Sequence, residues 1–329
     1  MRIDLAGGTI DLWPVYLVLG EAVTVNVAFD LPARVRVRRV GGTSVRLVHE
    51  DAGVEATRPR ATDVDGVDPA LALLARVVAA VAPEGGLEVS VSTTSPQGAG
   101  LGGSSALAAC AVATVATAVG RPLELEAARR LAQDVETTLL RTPTGYQDYY
   151  PPLFGGCLAL RGGVGGVKVE RLPVDLGALA RRLRVVYTGV PHHSGLTNWG
   201  VLRAFFDGEP ATVAALTEIG ELSARVAAAV RRGDLDAALA LVVAEGAVRR
   251  RMAPGVSTPG IEALDAAVRA AGALGTKVCG AGGGGCVLVV LRDEREPAGL
   301  AEALRTGGAR PIDAPLVAAG LSVAQEARA

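Results

Sequence analysis

The most informative part of the chain is the stretch SPQGAGLGGSSA, which runs from Ser95 to Ala106. It lies between an alternating pattern around Val89, typical of a strand, and an apolar pattern that predicts a helix to about Val119. Glycines let backbone N–H groups approach a ligand closely, and a helix N-terminus adds exposed donors and partial positive charge. The stretch therefore predicts a phosphate-binding loop, in which Ser104 and Ser105 cap the helix or contact a phosphate or metal ion.

A dinucleotide site is an alternative for this stretch, because Gly98, Gly100 and Gly103 match the pattern G-x-G-x-x-G. That pattern should follow the first strand of a parallel unit, whereas several predicted strands precede it here. An acidic residue should also end a second strand about 20 residues later, where this chain has a predicted helix. The Walker pattern fails as well, because the stretch contains no lysine.

The composition excludes several classes of protein. The 329 residues include 33 basic and 34 acidic side chains, a balance that argues against a nucleic-acid-binding protein. Half of the residues are hydrophobic, which argues against disorder. The apolar stretch from Ala106 to Val119 is too short to span a membrane, and we expect neither a membrane segment nor a signal peptide. Four cysteines without a C-x-x-C pair indicate a reducing compartment, so we expect a cytoplasmic protein.

Strands and helices are mixed along the chain. Alternating valines predict strands over residues 23–27 and 35–37, and apolar residues at helical spacing predict a helix from about Leu123 to Arg141. Glycines from Gly162 to Gly166 predict a hairpin turn. An apolar strand from Leu183 to Val190 opens a second region of helices and strands, so we place a domain boundary just before it.

Two further glycine-rich segments occur, RIDLAGGTID from Arg2 to Asp11 and GTKVCGAGGGGC from Gly275 to Cys286. Each segment alone fits a structural turn as well as a binding site. In this order and spacing, however, the three segments resemble the motifs of the GHMP kinases, which include galactokinase, homoserine kinase and mevalonate kinase. The resemblance covers essentially the whole chain. The middle segment is similar to the family's P-x-G-x-G-L-G-S-S-A, and the first is similar to A-G-G-x-T-D of heptose 7-phosphate kinase and fucokinase.

This resemblance implies a two-domain α+β fold with ATP and Mg²⁺ as cofactors. Residues 1–178 are assigned to an N-terminal ATP-binding domain of the ribosomal-protein-S5 type, and residues 179–329 to a ferredoxin-like C-terminal domain. The active site is expected in the cleft between them. The residues implied to bind the nucleotide are Pro96, Gly98, Ala99, Gly100, Leu101, Gly102, Gly103, Ser104, Ser105, Gly282 and Gly283.

The resemblance also implies roles for two carboxylates. Family members hold magnesium with a glutamate on a helix, and an aspartate further along the chain acts as the base. Glu136 and Asp148 match these two roles, and Asp134 is the neighbouring competitor for the metal. Ser104 is similar to the family's metal-binding serine, although a shift of one position would give that role to Ser105.

The first segment supplies the remaining candidates. Arg2 is similar to an arginine that lies near the base and the transferred phosphate in galactokinase, and Asp11 matches the sugar-binding aspartate. Gly8 lies in the same substrate-binding segment, but Gly8-Thr9 stands where galactokinases have Glu-His. Because a residue next to a terminus is usually frayed, we expect that Arg2 is poorly held or that residues added before Met1 raise the activity.

Together these residues predict an ATP-dependent kinase that phosphorylates a sugar hydroxyl, of the galactokinase type or the heptose or fucose type. The alternatives are a mevalonate-type kinase and a non-catalytic sensor of sugar and nucleotide on the same fold. The expected partner is a small sugar or sugar phosphate, without nucleic acid or membrane, and the protein is expected to be a monomer or homodimer. Residues 249–251 could hold a substrate phosphate or form a solvated helix end, and residues 192–193 could lie in a substrate-facing loop.

Overall fold

The structure is a computed structural model that describes residues 1–20, 22–96, 98–191 and 194–325. Within these ranges the chain forms three four-stranded sheets with helices packed on them, which confirms the predicted α+β class. The strands are β1 (Arg2–Ala6), β2 (Ala22–Ala28), β3 (Ala33–Arg39), β4 (Val45–His49), β5 (Val54–Arg58), β6 (Leu87–Thr93), β7 (Cys157–Gly163), β8 (Gly166–Arg171), β9 (Leu183–Tyr187), β10 (Gly275–Val278), β11 (Cys286–Val290) and β12 (Arg310–Ile312). The helices are α1 (Val15–Val18), α2 (Ala72–Val81), α3 (Gly103–Ala118), α4 (Leu125–Leu140), α5 (Tyr150–Phe154), α6 (Leu176–Arg181), α7 (Ser194–Phe206), α8 (Pro210–Arg231), α9 (Leu235–Met252), α10 (Pro259–Ala270) and α11 (Leu300–Thr306), with a 3₁₀ turn at Pro69–Leu71.

Two sheets are built from the first half of the chain. One has the order β1-β2-β7-β8, and Gly163 pairs with Gly166 across the predicted hairpin turn. The other has the order β3-β6-β4-β5 and carries the phosphate-binding loop after β6. Strand β3 alternates exposed arginines with half-buried valines, as its sequence pattern predicts. Helices α2, α3 and α4 cover the opposite face of this sheet with a core of leucine, valine and alanine.

The third sheet has the order β10-β11-β9-β12, and its pairs are antiparallel. With α11 between β11 and β12, this is the β-α-β-β-α-β order of a ferredoxin-like unit. The predicted boundary between residues 178 and 179 lies inside α6 and stays a prediction. Within the part of the chain that the structure describes, none of the helices is long and apolar enough to cross a membrane.

Four charged side chains are completely buried where β1, α9 and β10 meet, namely Asp4, Glu245, Arg249 and Lys277. We call them the buried charge cluster. Lys277 Nζ lies 3.0 Å from Asp4 Oδ2 and 3.3 Å from Glu245 Oε2. Arg249 Nη2 lies 2.8 Å from Glu245 Oε1 and 3.9 Å from Asp4 Oδ2. The two positive charges therefore balance the two negative ones, which a buried charge requires if it is to stay ionised.

The backbone approaches the buried charge cluster closely. Burial alone would raise the pKa of Asp4, but the charges of Lys277 and Arg249 outweigh this effect and hold that pKa below its ordinary value. A Cβ atom on Gly246, in α9, would lie 2.7 Å from the carbonyl oxygen of Thr276 in β10. Glycine at position 246 thus lets α9 approach β10 closely enough for Lys277 to reach its two carboxylates.

Replacing Lys277 by Met should destabilise the protein strongly, because Asp4 and Glu245 would stay buried with Arg249 as their remaining cation. Breaking a buried ion pair on one side costs about 3–5 kcal/mol. Urea unfolding of wild type and variant measures this loss. Lys168, the other lysine of the chain, is exposed in β8, so Lys168→Met is the matched control. Equal unfolding midpoints for the two variants would contradict the importance of the cluster.

Candidate active site

A cavity of about 660 Å³ lies where the first segment, the phosphate-binding loop, α4 and the loop before α5 meet. This volume is in the range of small-molecule sites. Predicted site residues that line the cavity are Arg2, Asp11, Pro96, Gly98, Ala99, Gly100, Leu101, Gly102, Gly103, Ser104, Ser105, Glu136 and Asp148. Three predicted residues do not line it: Gly8, Gly282 and Gly283.

The predicted phosphate-binding loop leads directly into the start of α3. Gly98, Gly100 and Gly102 have φ values of 66°, 72° and 70°, a left-handed backbone conformation that residues other than glycine rarely adopt. Gly102 is the N-cap of α3, and within the described part of the chain no side-chain hydrogen bond caps this helix, so the interpretation of Ser104 and Ser105 as capping residues is wrong. The loop leaves the α3 N-terminus uncapped and aimed at a cavity, which is an arrangement that binds phosphate.

The third glycine-rich segment packs behind this loop. Cys286 N donates to the carbonyl oxygen of Ala99 at 2.8 Å. A Cβ atom on Gly285 would lie 2.9 Å from that same oxygen. A Cβ atom on Gly282 would instead lie 2.3 Å from the carbonyl oxygen of Val256, outside the cavity. The segment therefore reaches the cavity through Gly280 and Ala281, not through the predicted Gly282 and Gly283.

Arg2 and Asp148 form an ion pair at the end of the phosphate-binding loop. Arg2 Nε donates to Asp148 Oδ1 at 2.8 Å, and Nη2 lies 2.6 Å from the same oxygen. Arg2 Nη1 donates to the carbonyl oxygen of Gly100 at 2.7 Å. Arg2 is 2% exposed, so the expectation that it is poorly held is wrong. Among the described residues no hydrogen bond engages Asp148 Oδ2, so Arg2 holds this carboxylate through Oδ1 alone.

Glu136 is another carboxylate that lines the cavity. It is buried in α4 and accepts a hydrogen bond on Oε2 from Ser105 Oγ at 2.7 Å. Burial raises its pKa, and hydrogen bonds from Ser104, Tyr149 and Ser105 oppose that rise without cancelling it. Asp134, its competitor for the metal, is exposed and does not line the cavity.

Oxygen donors at this position fit magnesium. Mg²⁺ prefers oxygen ligands and commonly takes one or two carboxylates, with phosphate oxygens and water completing the shell. One carboxylate, from Glu136, and two hydroxyls, from Ser104 and Ser105, line the same part of the cavity. Over the described ranges no cluster of three His, Cys, Asp or Glu side chains forms a complete metal site, so the nucleotide would have to supply the remaining ligands.

Asp11 also lines the cavity, and its Oδ2 accepts a hydrogen bond from the backbone N–H of Gln147 at 3.0 Å. It is 2% exposed, and burial together with the negative charge of Asp148 raises its pKa to about 7. A Cβ atom on Gly145 would lie 2.0 Å from Asp11 Oδ2, so only glycine fits there. Neither Gly145 nor Gln147 was predicted as a site residue, because both are distant from Asp11 in the sequence and contact it only in the folded chain.

Arg249 fixes the segment that carries Asp11. Its Nη2 donates to the carbonyl oxygen of Gly8 at 2.6 Å, and its Nη1 donates to Thr9 Oγ1 at 3.2 Å. Both interpretations of residues 249–251 are therefore wrong for Arg249, which neither binds a substrate phosphate nor faces solvent. Gly8 packs against the buried charge cluster, where a Cβ atom would lie 2.4 Å from Asp4 Oδ2. The predicted loop at residues 192–193 lies outside the described residues.

Two models of one protein family match this chain. The model for the GHMP kinases N terminal domain matches residues 70–156, and the model for the GHMP kinases C terminal domain matches residues 226–310. The mevalonate kinase of Thermococcus sibiricus is 27% identical to this chain over 247 residues, which cover 72% of this chain and 69% of that protein.

Solved structures are similar over almost the whole chain. The galactokinase of Lactococcus lactis, solved in complex with galactose, has a TM-score of 0.77 and 16% identity, covering 97% of this chain and 92% of its own. A D-glycero-D-manno-heptose 1-phosphate kinase from Bacteriodes thetaiotaomicron has a TM-score of 0.71 and 19% identity, covering 99% and 98%. At these identities the similarity shows the fold, and it confirms the two-domain kinase fold that the three segments predict.

Replacing Asp11 by Asn should change how stability depends on pH. A carboxyl pKa of about 7 in the folded protein, against 3.8 for the ordinary group, means that ionisation opposes folding as the pH rises. Between about pH 5 and about pH 8, the variant should gain on the order of 2 kcal/mol in unfolding free energy relative to wild type. Urea unfolding at both pH values measures this gain. Exposed Asp207→Asn is the control, and a pH-independent difference for Asp11→Asn would contradict the raised pKa.

Proposed function

Because the chain belongs to the GHMP kinase family, we propose that it transfers the γ-phosphoryl group of ATP to a hydroxyl group of a sugar. Members of this family are ATP-dependent phosphotransferases. The observation that carries the proposal is the Arg2–Asp148 pair, which lies between the phosphate-binding loop and the pocket of Asp11. One oxygen of Asp148 is held by Arg2, and the other is available to the acceptor hydroxyl.

Each part of phosphoryl transfer has a candidate in the cavity. Backbone N–H groups of the phosphate-binding loop and the N-terminus of α3 would hold the nucleotide phosphates. Asp148 Oδ2 would take the proton of the acceptor hydroxyl as the hydroxyl oxygen forms its bond to the γ-phosphorus of ATP. The bond from that phosphorus to the β,γ-bridging oxygen would break in the same step, and ADP would leave. Arg2, fixed by Gly100 and Asp148, would stabilise negative charge that develops in the transition state. Glu136 and Ser104, with Ser105 beside them, would hold Mg²⁺, which neutralises phosphate charge when bound.

The acceptor side favours a sugar. Thr9, Asp11, Gln147 and Asn198 line it, and these hydroxyl, carboxylate and amide groups suit a ligand with several hydroxyl groups. Burial and the negative charge of Asp148 already oppose ionisation of Asp11, so a carboxylate on the acceptor would add negative charge beside these two acidic groups. Among the described residues that line the cavity, Arg2 is the one arginine, and it already forms an ion pair with Asp148. This described lining therefore offers no second arginine to bind a carboxylate of the acceptor.

A mevalonate-type kinase is the second candidate, because the similarity to the Thermococcus sibiricus mevalonate kinase extends over 72% of this chain. A non-catalytic sensor is less consistent with the residues, since base, arginine and metal carboxylate are all present around one cavity. We also propose a cytoplasmic location on the basis of the cysteine content, and no nucleic-acid partner on the basis of the balanced charge. The expectations of a monomer or homodimer and of no membrane partner stay predictions.

The function is tested by ADP release with Mg-ATP against a panel of acceptors. The panel comprises free hexoses and fucose, glucuronate, heptose and hexose phosphates, and mevalonate. Release with a sugar supports the proposal, and NMR of the product then identifies the phosphorylated hydroxyl. Release with mevalonate alone would establish the second candidate, and silence with ATP still bound would support the sensor.

Asp148→Asn should lower kcat by about 10²–10⁴ with the acceptor found in that panel, because the amide cannot accept the proton. The affinity for a non-hydrolysable ATP analogue, measured by calorimetry, should stay close to that of wild type, since the phosphate-binding loop is unchanged. Asp134→Asn is the control, because Asp134 is exposed and outside the cavity. Wild-type kcat in Asp148→Asn would rule out Asp148 as the base.

A further inference from the structure

Tyr149 is a completely buried residue that the sequence did not single out. Its hydroxyl donates to Glu136 Oε2 at 2.5 Å, and the same oxygen accepts from Ser105 Oγ at 2.7 Å. Two donors therefore converge on one oxygen of the carboxylate that lines the metal side of the cavity. The terminal torsion of a glutamate side chain is broad, so such contacts decide where its second oxygen points.

The position of Tyr149 in the chain adds a second link. Tyr149 directly follows Asp148, so a hydrogen bond from its side chain to α4 also fixes the peptide that carries the base. The Asp148 side chain, in turn, is held by Arg2. The metal carboxylate and the base are thus connected through one residue, although they lie on different elements.

On the basis of the proposed function, we propose that Tyr149, together with Ser105, is a positioning residue that orients the Glu136 carboxylate for Mg²⁺. Neither residue needs to touch the substrate for this role. Outer hydrogen bonds to a metal-binding carboxylate typically contribute 10–100-fold to metal affinity. Loss of the Tyr149 hydroxyl should therefore weaken metal binding about 10-fold.

The neighbouring tyrosine provides a matched control. Tyr150 is also completely buried, and its hydroxyl donates to Glu126 Oε2 at 2.9 Å. Glu126 lies in the first turn of α4 and does not line the cavity. Tyr149→Phe and Tyr150→Phe each remove one oxygen atom and one hydrogen bond to a glutamate, but only the first touches the metal carboxylate.

The test is Mn²⁺ binding to the full chain in the presence of ADP. The electron paramagnetic resonance signal of free Mn²⁺ measures how much of the metal is unbound. The Kd for Mn²⁺ should rise about 10-fold in Tyr149→Phe and stay near wild type in Tyr150→Phe. The metal concentration for half-maximal activity should rise in parallel, with a smaller change in kcat at saturating metal. ADP affinity without metal should be the same in wild type, Tyr149→Phe and Tyr150→Phe.

Equal Mn²⁺ affinity in Tyr149→Phe and Tyr150→Phe would overturn the inference and leave the proposed function intact. If Tyr149→Phe does not fold, Ser105→Ala removes the other donor to the same oxygen, and unchanged Mn²⁺ affinity there would overturn it. Glu136→Gln tests whether Glu136 contributes to Mn²⁺ binding at all. If wild type and Glu136→Gln bind Mn²⁺ alike, the metal site is wrong, and both this inference and the proposed mechanism fail.

Discussion

The buried charge cluster between β1, α9 and β10 is the interaction on which the rest of the site depends. Burying two carboxylates and two cations gains little stability by itself, because desolvation offsets much of the attraction. Its consequence is geometric. Glu245 Oε1 accepts the backbone N–H of Gly7 at 3.1 Å, and Arg249 holds the carbonyl oxygen of Gly8. The backbone that leads to Asp11 is therefore held by charged side chains from the second half of the chain, so packing of the two halves positions Asp11 at the cavity.

The three glycine-rich segments have different physical reasons for their glycines. In the phosphate-binding loop, left-handed φ values shape a backbone that leaves the α3 N-terminus open to the cavity. In the first segment, Gly7 and Gly8 leave no room for a Cβ atom beside β2 and the buried charge cluster. In the third segment, Gly280 and Gly285 allow its backbone to lie directly against the phosphate-binding loop. A similar composition thus leaves a helix N-terminus open to the cavity in one segment and allows close packing in the other two.

Local patterns predicted most elements but not the contacts that complete the site. Helix α4 and the hairpin at Gly163–Gly166 follow from spacing and from glycine, which act over a few residues. Strand β1 was not predicted, because all five of its residues are buried and show no alternation. Arg2, Glu136 and Asp148 were candidates through the resemblance, and the structure brings them around one cavity. The roles of Tyr149 and Arg249 depend on partners that are distant in sequence or lie on another element, and no local pattern indicates such a pair.

Arg2 connects the glycine-rich loop before α3 to Asp148 across the cavity. It contacts the carbonyl oxygen of Gly100 in the phosphate-binding loop and one oxygen of Asp148, and its own N–H donates to the carbonyl oxygen of Leu101. A displacement of the loop would therefore displace both Arg2 and Asp148. Among the described contacts Arg2 engages only Oδ1 of Asp148, so one guanidinium ties this carboxylate to the loop and leaves Oδ2 without a hydrogen bond. In the proposed mechanism, this shared anchor would keep Asp148 in register with the nucleotide phosphates, as in-line transfer to a hydroxyl requires.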